Sequence, residues 1–190
     1  RSTEGAWIFL SKRFDLGPQQ QHLVVEDFCQ LLGLAEEKKY EASLEQVATA
    51  LLQFSRTPDQ DRTRLWKVAV VAWLIGNADL HLKNLSMLEG RLSPAYDMVP
   101  TQLILPSPEE TALSLCSKRA RFRRKHWVEE FGERILGIPR AELEEMLLEL
   151  RKAANSWPEI IAGIPLPEVL QKRAIDAIAP RLQELLTLPQ

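Results

Sequence analysis

Three side chains in the middle of the sequence, Asp79, Asn84 and Asp97, are of the types that phosphoryl transfer requires. That reaction needs a carboxylate that orients the attacking hydroxyl and accepts its proton. It also needs amide and carboxylate oxygens, because these hold Mg²⁺ against the phosphates. Asp79 and Asn84 lie in one polar loop, residues 76–84, and Asp97 follows about a dozen residues later. The three residues therefore form a candidate phosphotransfer site.

A predicted helix from Pro58 to Ile75 leads into this loop. Thr57 and Gln60 have the spacing of a capping box at its start, and Gly76 is placed to end it. The second half of the helix is apolar on every side, which is typical of a helix buried in the middle of a domain. Such a helix would give the loop a rigid base.

A predicted β-hairpin follows the loop. Two short strands, 85–88 and 91–93, are separated by Glu89-Gly90, which suits a two-residue turn. Because the strands are short, the hairpin is predicted to place Asn84 and Asp97 near each other at its open end.

The spacing within the loop is that of a kinase catalytic loop. In protein kinases the proton-accepting aspartate and a Mg²⁺-binding asparagine follow the pattern Asp-x-x-x-x-Asn. Asp79 and Asn84 are likewise separated by four residues. The same spacing also arises by chance in other proteins, and an aspartate after a hairpin is often only a turn former. Spacing alone leaves both interpretations open.

A longer stretch of sequence resembles one family. The segment IGNADLHLKNLS at 75–86, followed by LSPAYD at 92–97, is similar to the active-site signature of HipA-like serine/threonine kinases, the toxins of bacterial toxin–antitoxin pairs. The resemblance extends over roughly residues 7–150. Supporting segments occur in the family's order at 12–15, 26–30 with 39–41, and 111–113 leading to 126–127.

The resemblance implies roles for the matching residues, with ATP as phosphate donor and Mg²⁺ as cofactor. Asp79 matches the catalytic base, and Asn84 and Asp97 match the Mg²⁺ ligands. Residues within the loop would shape it or contact phosphate: Asn77, His81 and Lys83. Residues that match the segment connecting the two kinase lobes, next to adenine, are Lys12, Arg13 and Phe14. Leu16 departs from the family, which usually has an arginine there, and 22–27 also differs from the common form.

The implied fold is mainly α, the helical C-terminal lobe of a protein-kinase-like fold with a short β-hairpin at the active site. Residues 1–16 are predicted to form a strand and the inter-lobe connecting segment, and 17–190 the helical lobe. The family's amino-terminal lobe supplies a loop over the phosphates and a lysine. The eight glycines are scattered along the sequence, and none of them belongs to a complete motif of a glycine-rich phosphate-binding loop. We therefore expect the missing lobe to come from the same polypeptide or from a second one.

Hydrophobic periodicity and capping residues predict the remaining elements. Pro180 is expected to kink or divide the last helix, and 94–108 should be irregular. The predicted elements are a strand at 7–14 and helices at 18–32, 43–54 (capped by Ser43), 124–135, 139–154 and 167–186.

Composition narrows the function classes. The chain has 190 residues, a formal charge of −2 and 45% hydrophobic residues, so it is not built as a whole to bind nucleic acid or anionic membrane. Its two cysteines indicate reduced thiols in a cytoplasmic protein rather than a disulfide framework. A basic run at 118–125 could bind nucleic acid or an acidic partner, but a solvated face beside the acidic residues of 141–150 is the favoured interpretation.

Two classes of function remain. One is an enzyme lobe that phosphorylates a serine or threonine of a protein substrate and is bound by an antitoxin. The other is a non-catalytic docking module for an antitoxin or another protein. The intact set Asp79, Asn84 and Asp97 favours the enzyme, because a docking module would not need all three.

Overall fold

The computed structural model describes residues 11–105 and 110–187, in which helices surround a small antiparallel sheet. The mainly helical prediction is confirmed for these residues. In chain order the elements are β1 Val25–Asp27, α1 Phe28–Leu31, a 3₁₀ turn Glu36–Lys38, α2 Leu44–Phe54, α3 Pro58–Ile75, a 3₁₀ turn Leu82–Asn84, β2 Ser86–Leu88, β3 Arg91–Leu92, α4 Thr101–Ile104, a π-helix His126–Ile135, α5 Arg140–Ala154, α6 Trp157–Gly163 and α7 Glu168–Leu186.

Helix α3 runs through the core, as its apolar second half predicts. Trp66, Trp73 and Leu74 are buried along it. The indole Nε1 of Trp66 donates to the carbonyl of Trp127 at 2.7 Å, and the rings of Trp73 and Trp127 pack with 5.3 Å between their centroids. Contacts with Trp127 of the π-helix thus fix helix α3 in place, and its C-terminal end is a firm base for the loop that follows.

The hairpin is also confirmed, and it gains a third strand. β2 pairs antiparallel with β3, with Met87 opposite Leu92. Glu89 and Gly90 both have positive φ (50° and 77°), as a primed two-residue turn requires. β1 pairs with the other edge of β2, giving the order β1-β2-β3. The backbone groups on both edges of β2 are therefore paired.

This third strand corrects the prediction of a helix at 18–32. Only α1 is helical there, because Asp27 accepts the N–H of Gln30 and starts the helix just after β1. Residues before it are held extended by the hairpin: the carbonyl of Val24 accepts the N–H of Glu89 at 2.9 Å. The predicted strand at 7–14 lies partly outside the described residues, and its described part, 11–14, is not a strand.

The start of α3 corrects a smaller prediction. Thr57 makes no side-chain capping bond, so the capping box with Gln60 is wrong. The hydroxyl of Thr57 lies instead 3.3 Å from Oδ2 of Asp61. The capping box that does form is at α2, where Ser43 and Gln46 bond each other's backbone N–H groups, so the prediction of Ser43 as a cap is confirmed.

The C-terminal helices follow the prediction with additions. α5 forms within the predicted range 139–154 and buries Leu143, Met146 and Leu147. α7 continues through Pro180 and is not divided there. Two short helices, α4 and α6, were not predicted, and α4 lies in the segment expected to be irregular. Both are too short to show a clear apolar period.

Asp61 is a buried carboxylate that joins α3 to the hairpin. It is fully buried, and its Oδ2 accepts the N–H of Leu92 at 3.0 Å and the hydroxyl of Ser55 at 2.6 Å. Oδ1 lies 3.3 Å from Nη1 of Arg64, whose Nη2 donates to the carbonyl of Ser93 at 3.1 Å. The position of β3, and with it the chain leading to Asp97, therefore depends on this carboxylate.

We expect Asp61→Ala to lower the free energy of unfolding by about 3 kcal/mol, because it leaves buried donors without an acceptor. Asp59→Ala is a matched control: its carboxylate is largely exposed and forms an ion pair with Arg62, one turn along the same helix. That change should cost less than about 1 kcal/mol. Urea unfolding of the two variants tests the difference, and equal losses would show that Asp61 does not anchor the hairpin.

Among the described residues, no helix is both long and apolar enough to cross a membrane. Both cysteines, Cys29 and Cys116, are free thiols, as predicted.

Candidate active site

The loop 76–84 leaves the buried end of α3 in a fixed direction. The N–H groups of Gly76 and Asn77 close the last helical turn in a Schellman arrangement, and the φ of Gly76, 73°, lies in the left-handed region that glycine adopts without strain. On the other side, the hydroxyl of Thr101 accepts the N–H of Ala78 at 2.8 Å. The loop is therefore held from both its helix and from α4.

Two buried asparagine amides join the three predicted site residues. Oδ1 of Asn77 accepts the N–H of Asp79 at 2.9 Å, while its Nδ2 donates to the carbonyl of Asp97 at 3.2 Å. Nδ2 of Asn84 donates to the carbonyl of Asp79 at 2.8 Å. One connected set of hydrogen bonds thus links residues that are far apart in sequence. Asn77, predicted to support the loop, is the residue that connects Asp97 to it.

The orientation of Asn84 leaves its amide oxygen available. A carbonyl oxygen only accepts hydrogen bonds, so the atom of Asn84 that faces the carbonyl of Asp79 must be the nitrogen. No hydrogen bond to Oδ1 of Asn84, or to the carboxylate of the exposed Asp97, is found within the described part of the chain. Both groups fit a hard oxygen-ligated cation.

The amide oxygen of Asn84 and the carboxylate of Asp97 suit Mg²⁺ better than a metal ion whose ligands all come from protein side chains. In residues 11–105 and 110–187 no group of three or more His, Cys, Asp or Glu side chains could hold a metal. Mg²⁺ does not need one, because it is commonly bound through one or two carboxylates together with substrate phosphates and water. An amide oxygen from Asn84 and a carboxylate from Asp97 meet that description.

The carboxylate of Asp79 has a partner that the sequence did not indicate. The phenolic hydroxyl of Tyr40 donates to Oδ1 of Asp79 at 2.6 Å. This hydrogen bond, with burial and the negative charge of Asp79 adding to it, raises the pKa of Tyr40 to about 12. Tyr40 lies in one of the supporting segments of the family resemblance, but its spacing from Asp79 along the chain gave no reason to connect the two.

His81 is buried against the same tyrosine. Its ring meets that of Tyr40 edge to face, with 5.1 Å between centroids, and its Nδ1 is buried without a hydrogen-bond partner among the described residues. Burial lowers the pKa of His81 below its usual value, although the nearby Asp79 opposes the shift. The buried imidazole therefore packs the loop against the ring of Tyr40.

Lys83 is engaged in an ion pair. Its Nζ lies 3.0 Å from Oδ2 of Asp27, and this hydrogen bond raises the pKa of the lysine. Asp27 also caps α1, so the pair joins the loop to the β1–α1 junction. Of the two roles predicted for Lys83, shaping the loop matches this contact; contact with phosphate stays a prediction.

One of the three predicted adenine-side residues lies beside the site. The ring of Phe14 packs against that of Tyr96, with centroids 5.3 Å apart, and the hydroxyl of Tyr96 donates to the carbonyl of Lys83 at 2.6 Å. Arg13 forms an ion pair with Asp15 two residues on, and Lys12 is exposed. Phe14 thus packs against the residue that precedes Asp97 in the chain, while a role for Lys12 and Arg13 stays a prediction.

The basic run 118–125 is partly used in packing. Arg124 is buried and lies 2.5 Å from Oε1 of Glu144 on α5, which matches the expected balance by the acidic helix. Arg119 donates to the carbonyls of Ala112 and Tyr40. The alternate residues Arg121, Arg123 and Lys125 are exposed.

Comparison with known proteins identifies the family. A family model described as the HipA-like C-terminal domain matches residues 1–157. The chain belongs to this family. The family resemblance seen in the loop 76–84 is therefore confirmed over residues 1–157.

Relatives of this HipA-like C-terminal domain carry kinase names. Two similar proteins come from Sinorhizobium fredii (strain NBRC 101917 / NGR234). "Putative kinase Y4dM" is 32% identical over 108 residues, which are 54% of this chain and 26% of that protein. "Putative kinase Y4mE" is 32% identical over 113 residues, which are 53% of this chain and 27% of that protein. A kinase-named protein of Haemophilus influenzae is 29% identical over 116 residues, 54% of this chain and 33% of that protein. The chain thus matches about a quarter to a third of the length of these relatives.

A solved structure shares the fold. HipA of Shewanella oneidensis MR-1, determined in complex with HipB and operator DNA of a toxin–antitoxin system, superposes with a TM-score of 0.70 at 22% identity, over 94% of this chain and 50% of that chain. The helical architecture with its small sheet is therefore that of the matching part of a HipA chain.

Proposed function

We propose that this HipA-like C-terminal domain is the helical lobe of a protein kinase and contributes the catalytic base and the Mg²⁺ ligands for transfer of phosphate from ATP to a serine or threonine of a protein. The observation that carries the proposal is the set of hydrogen bonds through Asn77 and Asn84 that joins Asp79 to Asp97. A domain kept only for docking an antitoxin would have no use for this connected set.

Asp79 is assigned as the proton acceptor. Its carboxylate is partly exposed, within a loop held by Asn77, and one oxygen, Oδ2, makes no hydrogen bond with the described residues. A carboxylate in this position can orient the acceptor hydroxyl and take its proton as the oxygen attacks the γ-phosphorus. Fixing the acceptor in this way converts a bimolecular encounter into a positioned reaction.

Asn84 and Asp97 are assigned as the Mg²⁺ ligands, through the amide oxygen and the carboxylate. Mg²⁺ bound there would neutralise charge on the phosphates of ATP. The hydrogen bond from Asn84 to the carbonyl of Asp79 ties the base to a ligand, so the metal side and the acceptor side keep a fixed relation. Phe14, packed on Tyr96, is assigned to the adenine side of the same site.

The partners follow from the relatives. Because this chain covers half of the Shewanella HipA chain, we assign the phosphate-covering loop and its lysine to an amino-terminal lobe, supplied by the same polypeptide or by a second one. That HipA forms a complex with HipB and DNA, so an antitoxin protein is the proposed partner here. We call this chain joined to such a lobe the complete kinase.

We expect the 190-residue chain alone to unfold cooperatively but to transfer no phosphate, because the core around α3 is self-contained, while the phosphate-covering loop and its lysine are assigned to the amino-terminal lobe. Labelled ATP, Mg²⁺ and a cell extract should give labelled protein with the complete kinase and none with the chain alone. A thermal unfolding curve shows whether the chain is folded. Strong labelling by the folded chain alone, lost in Asp79→Asn, would contradict the need for a second lobe.

A further inference from the structure

Tyr40 is the one side chain seen to hydrogen-bond the carboxylate of Asp79 within the described residues. Its hydroxyl donates to Oδ1 at 2.6 Å, the short distance typical of a bond to a charged acceptor. Oδ2 of the same carboxylate is left without such a bond. The two oxygens of the proposed base therefore differ: one is held by the protein, and the other is available to an acceptor.

The tyrosine is itself held in place by its surroundings. The carbonyl of Tyr40 accepts a hydrogen bond from Nη2 of Arg119 at 2.7 Å. The carbonyl of the preceding residue, Lys39, accepts a hydrogen bond from the N–H of Leu82 at 3.1 Å. The ring packs edge to face on His81, and Nζ of Lys39 lies 5.2 Å from its centroid. The hydrogen bond between Leu82 and Lys39 joins the segment that carries Tyr40 directly to the loop 76–84.

We propose that Tyr40 is a positioning residue for phosphotransfer, whose hydroxyl fixes Oδ1 of Asp79 so that Oδ2 faces the acceptor hydroxyl. This inference rests on the proposed function, since it concerns how the same base is oriented. An aspartate carboxylate otherwise turns readily about its terminal torsion. Holding one oxygen removes that freedom before the acceptor arrives, which is the kind of pre-organisation that lowers a barrier.

Tyr40 is suited to donate and not to act as a base. Because the bond to Asp79 raises its pKa to about 12, the phenol keeps its proton throughout the physiological range. The opposite arrangement, in which the tyrosine occupies the acceptor's place and must leave before a substrate binds, would predict that removing the hydroxyl speeds the reaction. The two arrangements therefore differ in the sign of one measurement.

The first test is Tyr40→Phe in the complete kinase, which keeps the ring contacts with His81 and removes only the hydroxyl. We expect kcat to fall about tenfold, the value of one hydrogen bond to a charged group, with KM for ATP unchanged. In an Asp79→Asn background the same change should have no further effect, since the carboxylate is already gone.

The outcomes separate the inference from the proposed function. Full or increased kcat in Tyr40→Phe, with Asp79→Asn inactive, overturns the positioning role alone. Full activity of Asp79→Asn overturns the proposed function. A fall in kcat of equal size in both the wild-type and the Asp79→Asn backgrounds shows that Tyr40 acts through the fold and overturns the positioning role.

A second test needs no enzymatic activity. The chain has two tyrosines, so Tyr96→Phe leaves Tyr40 as the sole phenol. At pH 11 its phenolate absorbance should be small with Asp79 present, and large in Asp79→Ala, which removes both the acceptor and its charge, so that the pKa returns toward the usual value of about 10. Circular dichroism at the same pH checks that both proteins are folded. Equal ionisation in the two proteins would show that the bond to Asp79 does not form in solution.

Discussion

Replacing Asp79 with asparagine in the complete kinase is expected to reduce the rate of phosphotransfer by about 10²–10⁴-fold, the usual contribution of a positioned base. The amide is nearly the same size as the carboxylate, but it cannot take the acceptor's proton. Its oxygen can still accept the hydroxyl of Tyr40, so the loop should keep its arrangement. The initial rate of labelled-phosphate transfer to a protein substrate measures the effect.

Binding and stability serve as controls for that variant. Asp79 is not one of the assigned Mg²⁺ ligands, so the affinity of Asp79→Asn for Mg²⁺-ATP should be unchanged. Its thermal unfolding temperature should shift little. An Asp79→Asn protein that phosphorylates at the wild-type rate would remove Asp79 as the base.

Replacing Asp97 with asparagine is expected to lower kcat by about 10²–10³-fold, because it removes a charged metal ligand and with it several kcal/mol of charge stabilisation. Asparagine is the appropriate substitution here. Asp97 has a φ of 53°, a left-handed conformation that asparagine tolerates and alanine does not. The loss of activity can then be assigned to the carboxylate and not to backbone strain.

Asp59→Asn is the matched control for Asp97→Asn, since it removes the same charge from an exposed helix position. It should leave activity unchanged. Nucleotide binding should strengthen with Mg²⁺ in the Asp59 variant and respond far less to Mg²⁺ in the Asp97 variant. If no Mg²⁺-dependent nucleotide binding is found even with an amino-terminal lobe present, the docking module becomes the better account.

The parts of the fold that sequence predicted correctly are those specified by neighbours along the chain. The apolar second half of Pro58–Ile75, Gly76 after it and the Glu89-Gly90 turn each act over a few residues. They suffice to place the loop and the hairpin. The capping of α2 by Ser43 belongs to the same class, because a cap bonds its own first turn.

The parts that were missed depend on contacts between distant segments. Val25–Asp27 became a strand because it meets β2, some sixty residues along, and not because of any local period. Asp61 reads as an ordinary first-turn acid of α3, yet it is fully buried by Ser55 and the hairpin. Tyr40 and Asp79 are likewise brought together only by the fold. No single-sequence signal specifies such pairs, whereas the clustering of polar residues in 76–84 was visible without them.

The most direct test of the phosphotransfer site is a crystal structure of the complete kinase with a non-hydrolysable ATP analogue and with Mn²⁺ in place of Mg²⁺. Mn²⁺ binds the same kinds of oxygen ligand, and its anomalous scattering locates it in the crystal. We predict one ion between the phosphates and the protein, within about 2.2 Å of both Oδ1 of Asn84 and a carboxylate oxygen of Asp97. Oδ2 of Asp79 should face the space beyond the γ-phosphate. An ion bound without these residues, or Asn84 and Asp97 pointing to different faces, would contradict the account.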